Sequence, residues 1–498
     1  MASSSPPPLP LELWGCIESY TSNADKKSLR LACRQFNNMV SLRLNRVFLS
    51  ANPLEIKLLR NIASQDKFRH QVTEIIWDET LLYGVQPQTA GTYPEKDEFL
   101  SDKESGVPEW FRSVSERIIR RFKSWKCIDA SQAANIKRVA QRFVQLSLGE
   151  RWQLYLRLFR QQEDVLDDQS DLEAFTFAVK QFTALKRVTI TPARHGHLII
   201  PIYPTSLTHA FPKGFHFEER LHPEDVPVTA CDQYPGLIDR NRWFRTAIRV
   251  LANEPNSVSE LVMTSEASVY NFTYQGIHCA IFDEDSDEYN DFVTMLKKPG
   301  FRRLDLTLHI GGEDEKDFKA SYRSLLNGRL RQVLGEAKNI EEFTLNTAYS
   351  RRLKLYGLEL PPIPLPSIVP LERWPKLRHF GLSGYRLPQE DCVSFLQTIP
   401  KSVRSIELAM PHFTCEDGCW TSLLDVFKDM ISRGELWGDR DRRSKPKITI
   451  GQAVCRGIGA SSETVWFEKE VEDHIYGEKE FPLWDIPPHP KTWMKLEC

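Results

Sequence analysis

"FRRLDL" (Phe301–Leu306), "IEEFTL" (Ile340–Leu345) and "LRHFGL" (Leu377–Leu382) carry apolar residues at their first, fourth and sixth positions and polar residues in the first gap. The fourth positions, Leu304, Phe343 and Phe380, are 39 and 37 residues apart. The same hexapeptide occurs as Val72/Ile75/Trp77, Leu185/Val188/Ile190, Val258/Leu261/Met263 and Val403/Ile406/Leu408. Three fixed apolar positions recur often by chance, so the flanking sequence has to arbitrate. It does: helical periodicity precedes most of these stretches, as in "DLEAFTFAVKQF" before "LKRVTI" and "RWFRTAIRVLANEP" before "VSELVM". Each helix–strand unit is too small to bury its own apolar face, so the units must stack. The expected fold class is an α/β repeat, with short parallel strands on one side and helices on the other.

The totals exclude several classes. The chain has 498 residues, a formal net charge of −2 and a charged content of 27%. That balance gives no global argument for nucleic acid or for an anionic membrane as partner. No apolar run reaches the ~18 residues of a membrane span. No basic stretch followed by an apolar one opens the chain, so no secretory signal is expected. The ten cysteines are scattered, as reduced thiols of a cytoplasmic or nuclear protein would be.

The N-terminus differs from the rest. After "SSSPPP", expected to be disordered over residues 1–8, "LPLELWGCIESYTSNADKKSLRLACRQF" runs from Leu9 to Phe36. Leu9, Leu13 and Ile17 form one helical stripe, and Pro10 suits a first helical turn. Asp25 can cap a second helix bearing Leu29, Cys33 and Phe36. "NNMVSLRLNRVFL" predicts a third helix ending near Leu49. Three such helices bury too little surface to stand alone. Either they cap the larger fold or another protein covers them.

"LPLELWGCI…D…L…AC…F" resembles an F-box, the helical module by which substrate receptors join a cullin–RING ubiquitin ligase through its Skp-type adaptor. The resemblance places the module at residues 9–50. It implies that Leu9, Pro10, Leu13 and Ile17 meet the adaptor and that Leu29 and Cys33 hold or extend that surface. "RWQLYLRLFRQQEDVLDDQSDLEAFTFAVKQFTALKRVTI" and "PLEIKLLRNIASQDKFRHQVTEIIWDETLL" are similar to segments of fungal F-box proteins. Residues 51–498 then look like an irregular leucine-rich-repeat solenoid with loop insertions near 84–109, 283–291 and 359–370.

In such an array alternate strand residues point away from the core. Arg187, Glu260, Arg303, Asp305, Glu342, His379 and Glu407 are the candidates for holding a target on that face. The residues show both charge signs and few aromatics, so no target class stands out.

Other chemistry was sought. Asp283, Asp285 and Asp287 have the spacing of calcium ligands, but Glu288 stands where the turn needs Gly, so a solvated acidic loop is expected. His412, Cys415 and Cys419 could open a zinc site with Cys392 or Cys455, yet no second compact ligand pair is near. His195 and His197 lack a third ligand in their segment. "GIGASS" from Gly457 lacks both a third glycine and a phosphate-loop lysine. "LPPIPLPSIVP" reads as a stiff connection or a ligand for a proline-reading domain, and "RDRRSKPK" as a solvated turn. Neither cofactor nor metal is expected. The resemblance implies a non-catalytic receptor in a cullin–RING ligase. The alternatives are a scaffold detached from any ligase and, with less support, a hydrolase hidden in the repeats.

Overall fold

The computed structural model describes residues 23–40, 44–79, 146–191, 242–264, 276–310, 315–349, 362–409, 420–438, 444–455 and 462–477, with runs of one to three residues outside these ranges. The described chain is mixed α/β. Its strands are β1 (Arg46–Leu49), β2 (Glu74–Asp78), β3 (Arg187–Thr191), β4 (Glu260–Met263), β5 (Ile277–His278), β6 (Arg303–Ile310), β7 (Glu342–Tyr349), β8 (His379–Ser383), β9 (Arg386–Leu387), β10 (Ser405–Ala409), β11 (His412–Phe413), β12 (Lys447–Cys455) and β13 (Ser462–Phe467).

Eleven of these make one sheet, in the order β1-β2-β3-β4-β6-β7-β8-β10-β12-β13 with β5 against β6. The strands enter in chain order and are parallel as far as β12; β13 alone is antiparallel, turning back on β12. A parallel neighbour requires a crossover, which helices supply. These include Pro53–Ala63 before β2, Ser170–Gln181 before β3, Arg242–Asn253 before β4 and Asp287–Leu296 before β6. Gln389–Gln397 and Trp420–Ser432 serve β10 and β12 in the same way.

All seven hexapeptides lie on this sheet or at its strand entrances, and every one of their apolar residues is buried. The polar gap has a backbone role. One carbonyl accepts two successive N–H groups of the next unit, as Thr73 does from Lys186 and Arg187. Arg302 repeats this with Glu341 and Glu342, and Arg378 with Arg404 and Ser405. One contiguous core extends from Val47 to Ile475. A small second cluster gathers Leu82, Phe111, Trp152 and Tyr155. There the Gln162 amide donates to the Leu82 carbonyl and accepts from its N–H, at 2.8 and 2.6 Å.

Three expectations change, and one open alternative is decided. The third N-terminal helix does not reach Leu49, because residues 46–49 form β1. "LNRVFL" is itself the hexapeptide, and pairing Val47 and Leu49 with Ile75 and Trp77 buries both. The acidic run is only partly a loop. Ser286 caps helix Asp287–Leu296, and Asp287 and Glu288 occupy its first turn, where the helix dipole favours negative charge.

The described part of the proline-rich segment, residues 362–370, is the expected connection rather than an offered ligand. It leads into β8 through short 3₁₀ turns, and Leu365, Ile368 and Val369 are buried. Trp374 is fully buried beside these turns, with its Nε1 donating to the Leu334 carbonyl at 3.1 Å. Finally, β12 adds a unit the pattern omits, because Lys445 stands at its first apolar position.

Close contacts require glycine at several described positions, Gly384 and Gly451 among them. Gly384 has φ +67°, and a Cβ there would collide with the Thr347 carbonyl of the preceding unit. Gly451 on β12 lies under the ring of Trp466 on β13.

Candidate functional site

Two surfaces carry the expected site residues. In the N-terminal segment the described residues include helices Asn23–Ala32 and Arg34–Met39. The Cys33 Sγ caps the second helix, accepting the Phe36 N–H at 3.5 Å, and Arg30 donates to the Asn37 side chain at 3.1 Å across the pair. Cys33 and Leu29 are half-buried. Leu13 and Ile17 are helical and exposed, at 49% and 41%. Leu9 and Pro10 lie outside the described residues. Tyr20 and Leu31, not singled out by the sequence, are exposed too. No periodicity marks them, because an apolar residue off the stripe reads as noise.

The second surface is the strand face turned away from the helices. Its first row follows the strand register through Arg46, Glu74, Arg187, Glu260, Arg303, Glu342, His379, Ser405 and Lys447. Charge alternates from Arg46 to Glu342. Arg46 meets Glu74 at 2.8 Å, Arg187 meets Glu260 at 2.6 Å, and Arg303 meets Glu342 at 2.9 Å. Arg302 also reaches Glu260 at 3.2 Å, and Thr189 donates to the second Glu74 oxygen at 2.7 Å. Opposite charges directly across a strand pair stabilise it and like charges do not, so the row helps fix which strands are neighbours.

The second row holds Asp305 and Glu407, three strands apart. Arg303 donates to both Asp305 oxygens. Gly381 and Thr344 lie between the two acids, and the Thr344 side chain leans over the glycine. Burial and then the Asp305 charge push the Glu407 carboxyl up, against the pull of Arg303. Burial likewise holds His379 below its ordinary value, although Asp305 and Glu342 favour its charged form. Its Nδ1 lies 2.8 Å from the Ser405 hydroxyl.

All seven residues expected for target contact therefore share this face. They differ in access: Glu260 and Asp305 are buried among the neighbouring arginines, while Arg187, Arg303, Glu342, His379 and Glu407 are half-buried. Arg46 and Lys447 are the rungs that sequence reasoning missed, since their hexapeptides went unread.

Two arrangements invite a catalytic reading. Ser321 Oγ lies 3.0 Å from His278 Nε2. The Ala280 N–H donates to His278 Nδ1, so in the neutral ring the proton sits on Nε2 and points at the serine. A general base needs the reverse, with a free Nε2 lone pair facing the hydroxyl. His474, buried, faces Asp425 Oδ1 and the Lys479 carbonyl at 3.0 Å each, which leaves neither nitrogen for a substrate.

Burial pushes the thiols of Cys279 and Cys392 up, the latter to about 12, so both are held as neutral core groups. Among the described residues no three His, Cys, Asp or Glu side chains group as a metal site would need. His195, His197, Cys415 and Cys419 lie outside them. No helix among the described residues is long and apolar enough to cross a membrane. Searches against family models and curated proteins return no match for this chain.

Proposed function

We propose that this chain is the substrate-recognition subunit of a cullin–RING ubiquitin ligase. In this reading residues 9–50 are an F-box that docks on a Skp-type adaptor, and the stacked units are a leucine-rich-repeat-like solenoid that holds a target protein. The chain itself does no bond chemistry and works inside the cell, in cytoplasm or nucleus. It raises the effective concentration of the target's lysines near the ligase-borne, ubiquitin-charged enzyme. A sheet whose strands enter in chain order suits that task, because it keeps the two ends of the molecule at a set separation.

The observation that carries the proposal is the exposure of Leu13 and Ile17. They are one helical turn apart on the stripe that the F-box resemblance assigns to the adaptor. A helical cap of the fold would bury that stripe instead.

Leu13→Asp tests it. Leu13 is half exposed in the free chain, so covering it in a complex recovers about 1 kcal/mol. A carboxylate trapped there would cost several kcal/mol more. At ~1.4 kcal/mol per tenfold, adaptor affinity should fall at least a hundredfold, with the melting temperature unchanged. If the melt shifts and the wild type binds no adaptor, the segment is a cap and the scaffold reading takes over.

A further inference from the structure

Among the described residues eight large apolar side chains are exposed, and six of them lie between Leu13 and Leu58. Four of the six belong to the N-terminal segment. The other two, Leu54 and Leu58, are exposed at 57% and 49%, one turn apart on helix Pro53–Ala63. That helix already has its core contacts on the opposite side, where Ile56, Leu59 and Ala63 are buried against the main core. Leu54 and Leu58 therefore leave about half of their apolar surface uncovered by the described fold. In a stack each unit is covered by the next, and the first unit has none before it. Leu54 and Leu58 belong to that first unit, directly after β1.

Charge is segregated in the same region. The first 70 residues contain ten Lys and Arg but five Asp and Glu, whereas the whole chain holds 65 and 67. Glu55, one of those five acids, is buried. Lys27, Arg34, Lys57 and Lys67 are all exposed. Arg46, Arg60 and Arg69 pair with Glu74, Glu173 and Asp66, so the excess rests on those four exposed side chains. An apolar surface in a segment with an excess of cations calls for a partner that brings carboxylates beside its own apolar face.

We infer that the docking surface of the N-terminal segment continues onto helix Pro53–Ala63, and that one acidic protein covers Leu54 and Leu58 together with Leu13 and Ile17. The inference rests on the adaptor reading, which makes that protein the Skp-type adaptor. Its contact then reaches past the F-box into the first repeat. This would fix the orientation of the repeats relative to the ligase, because two separated anchor points resist rotation where one does not.

The test is a titration of the purified full-length chain with recombinant Skp-type adaptor at low and high salt. Leu54→Ser/Leu58→Ser should weaken binding at least tenfold while the thermal melt stays in place. Lys57→Glu/Lys67→Glu, which leaves the apolar contact intact, should weaken it at low salt and lose its effect at high salt. If Leu13→Asp abolishes binding while both double variants bind like wild type, the extended surface is refuted and the adaptor reading survives. If no form of the chain binds adaptor, both fall. If the wild type instead sediments with phosphatidylserine vesicles or self-associates, and Leu54→Ser/Leu58→Ser does not, the patch is real but its assigned occupant is wrong, which also overturns the inference.

Discussion

Asp171→Asn would remove one half of a buried ion pair that ties two successive units together. Asp171 lies in the first turn of helix Ser170–Gln181 and is fully buried. Arg242 opens the next unit's helix, Arg242–Asn253, and forks onto both Asp171 oxygens at 2.6 and 2.7 Å. The Arg242 side chain is 14% exposed, so water offers it little compensation once the carboxylate is gone. Breaking such a pair from one side costs about 3–5 kcal/mol. The residual exposure puts this case at the low end, about 3 kcal/mol, roughly a hundredfold in the folded-to-unfolded ratio.

Urea unfolding followed by circular dichroism would measure it, and Asp171→Leu, Arg242→Met and Asp171→Leu/Arg242→Met form a double-mutant cycle on the same pair. The two single variants should be clearly destabilised. The double variant should recover most of the loss, because an apolar pair of similar volume fills the site without stranding a charge. A single-variant cost below about 0.5 kcal/mol, the range of ordinary surface changes, would refute the argument that this pair clamps neighbouring units.

Two further outcomes are expected. Ile368→Ala in the proline-rich connection should cost about 2–5 kcal/mol in the same unfolding assay, because Ile368 is fully buried; a solvated linker would tolerate it. Glu79, just after β2, has its carboxyl pushed up from 4.5 to about 8 by burial and then by the Asp78 charge. A carboxyl raised on folding keeps its proton longer in the folded state. Stability should therefore be highest below the unfolded value and decline as pH rises from 4.5 towards about 8. Glu79 is half-buried as a residue, so water relieves part of that decline. Melting curves across this range should be flatter for Glu79→Gln, and equal slopes for both proteins would count against the burial argument.

The sequence by itself determined the stacking units. A strand buried against helices on one side needs apolar residues at alternate positions, and the helix before it needs a stripe of its own. Leu304, Phe343 and Phe380 could therefore be aligned before any contact was known. The same local logic placed Arg187, Glu260, Arg303, Asp305, Glu342, His379 and Glu407 on the other face. Local logic failed where a neighbour decides. Arg46–Leu49 has a pattern compatible with helix or strand, and the parallel partner β2 resolved it in favour of strand. "LPPIPLPSIVP" reads equally as a connection or an offered ligand until Leu365, Ile368 and Val369 are seen buried with Trp374 in the core. Whether Asp305 is open or enclosed depends on Arg303 reaching both its oxygens, and the Arg46-to-Glu342 alternation exists only once six separate strands are in register. Periodicity is a property of one segment and is written in it. Pairing, enclosure and charge neutralisation are properties of segments tens of residues apart, and only the folded chain brings those together.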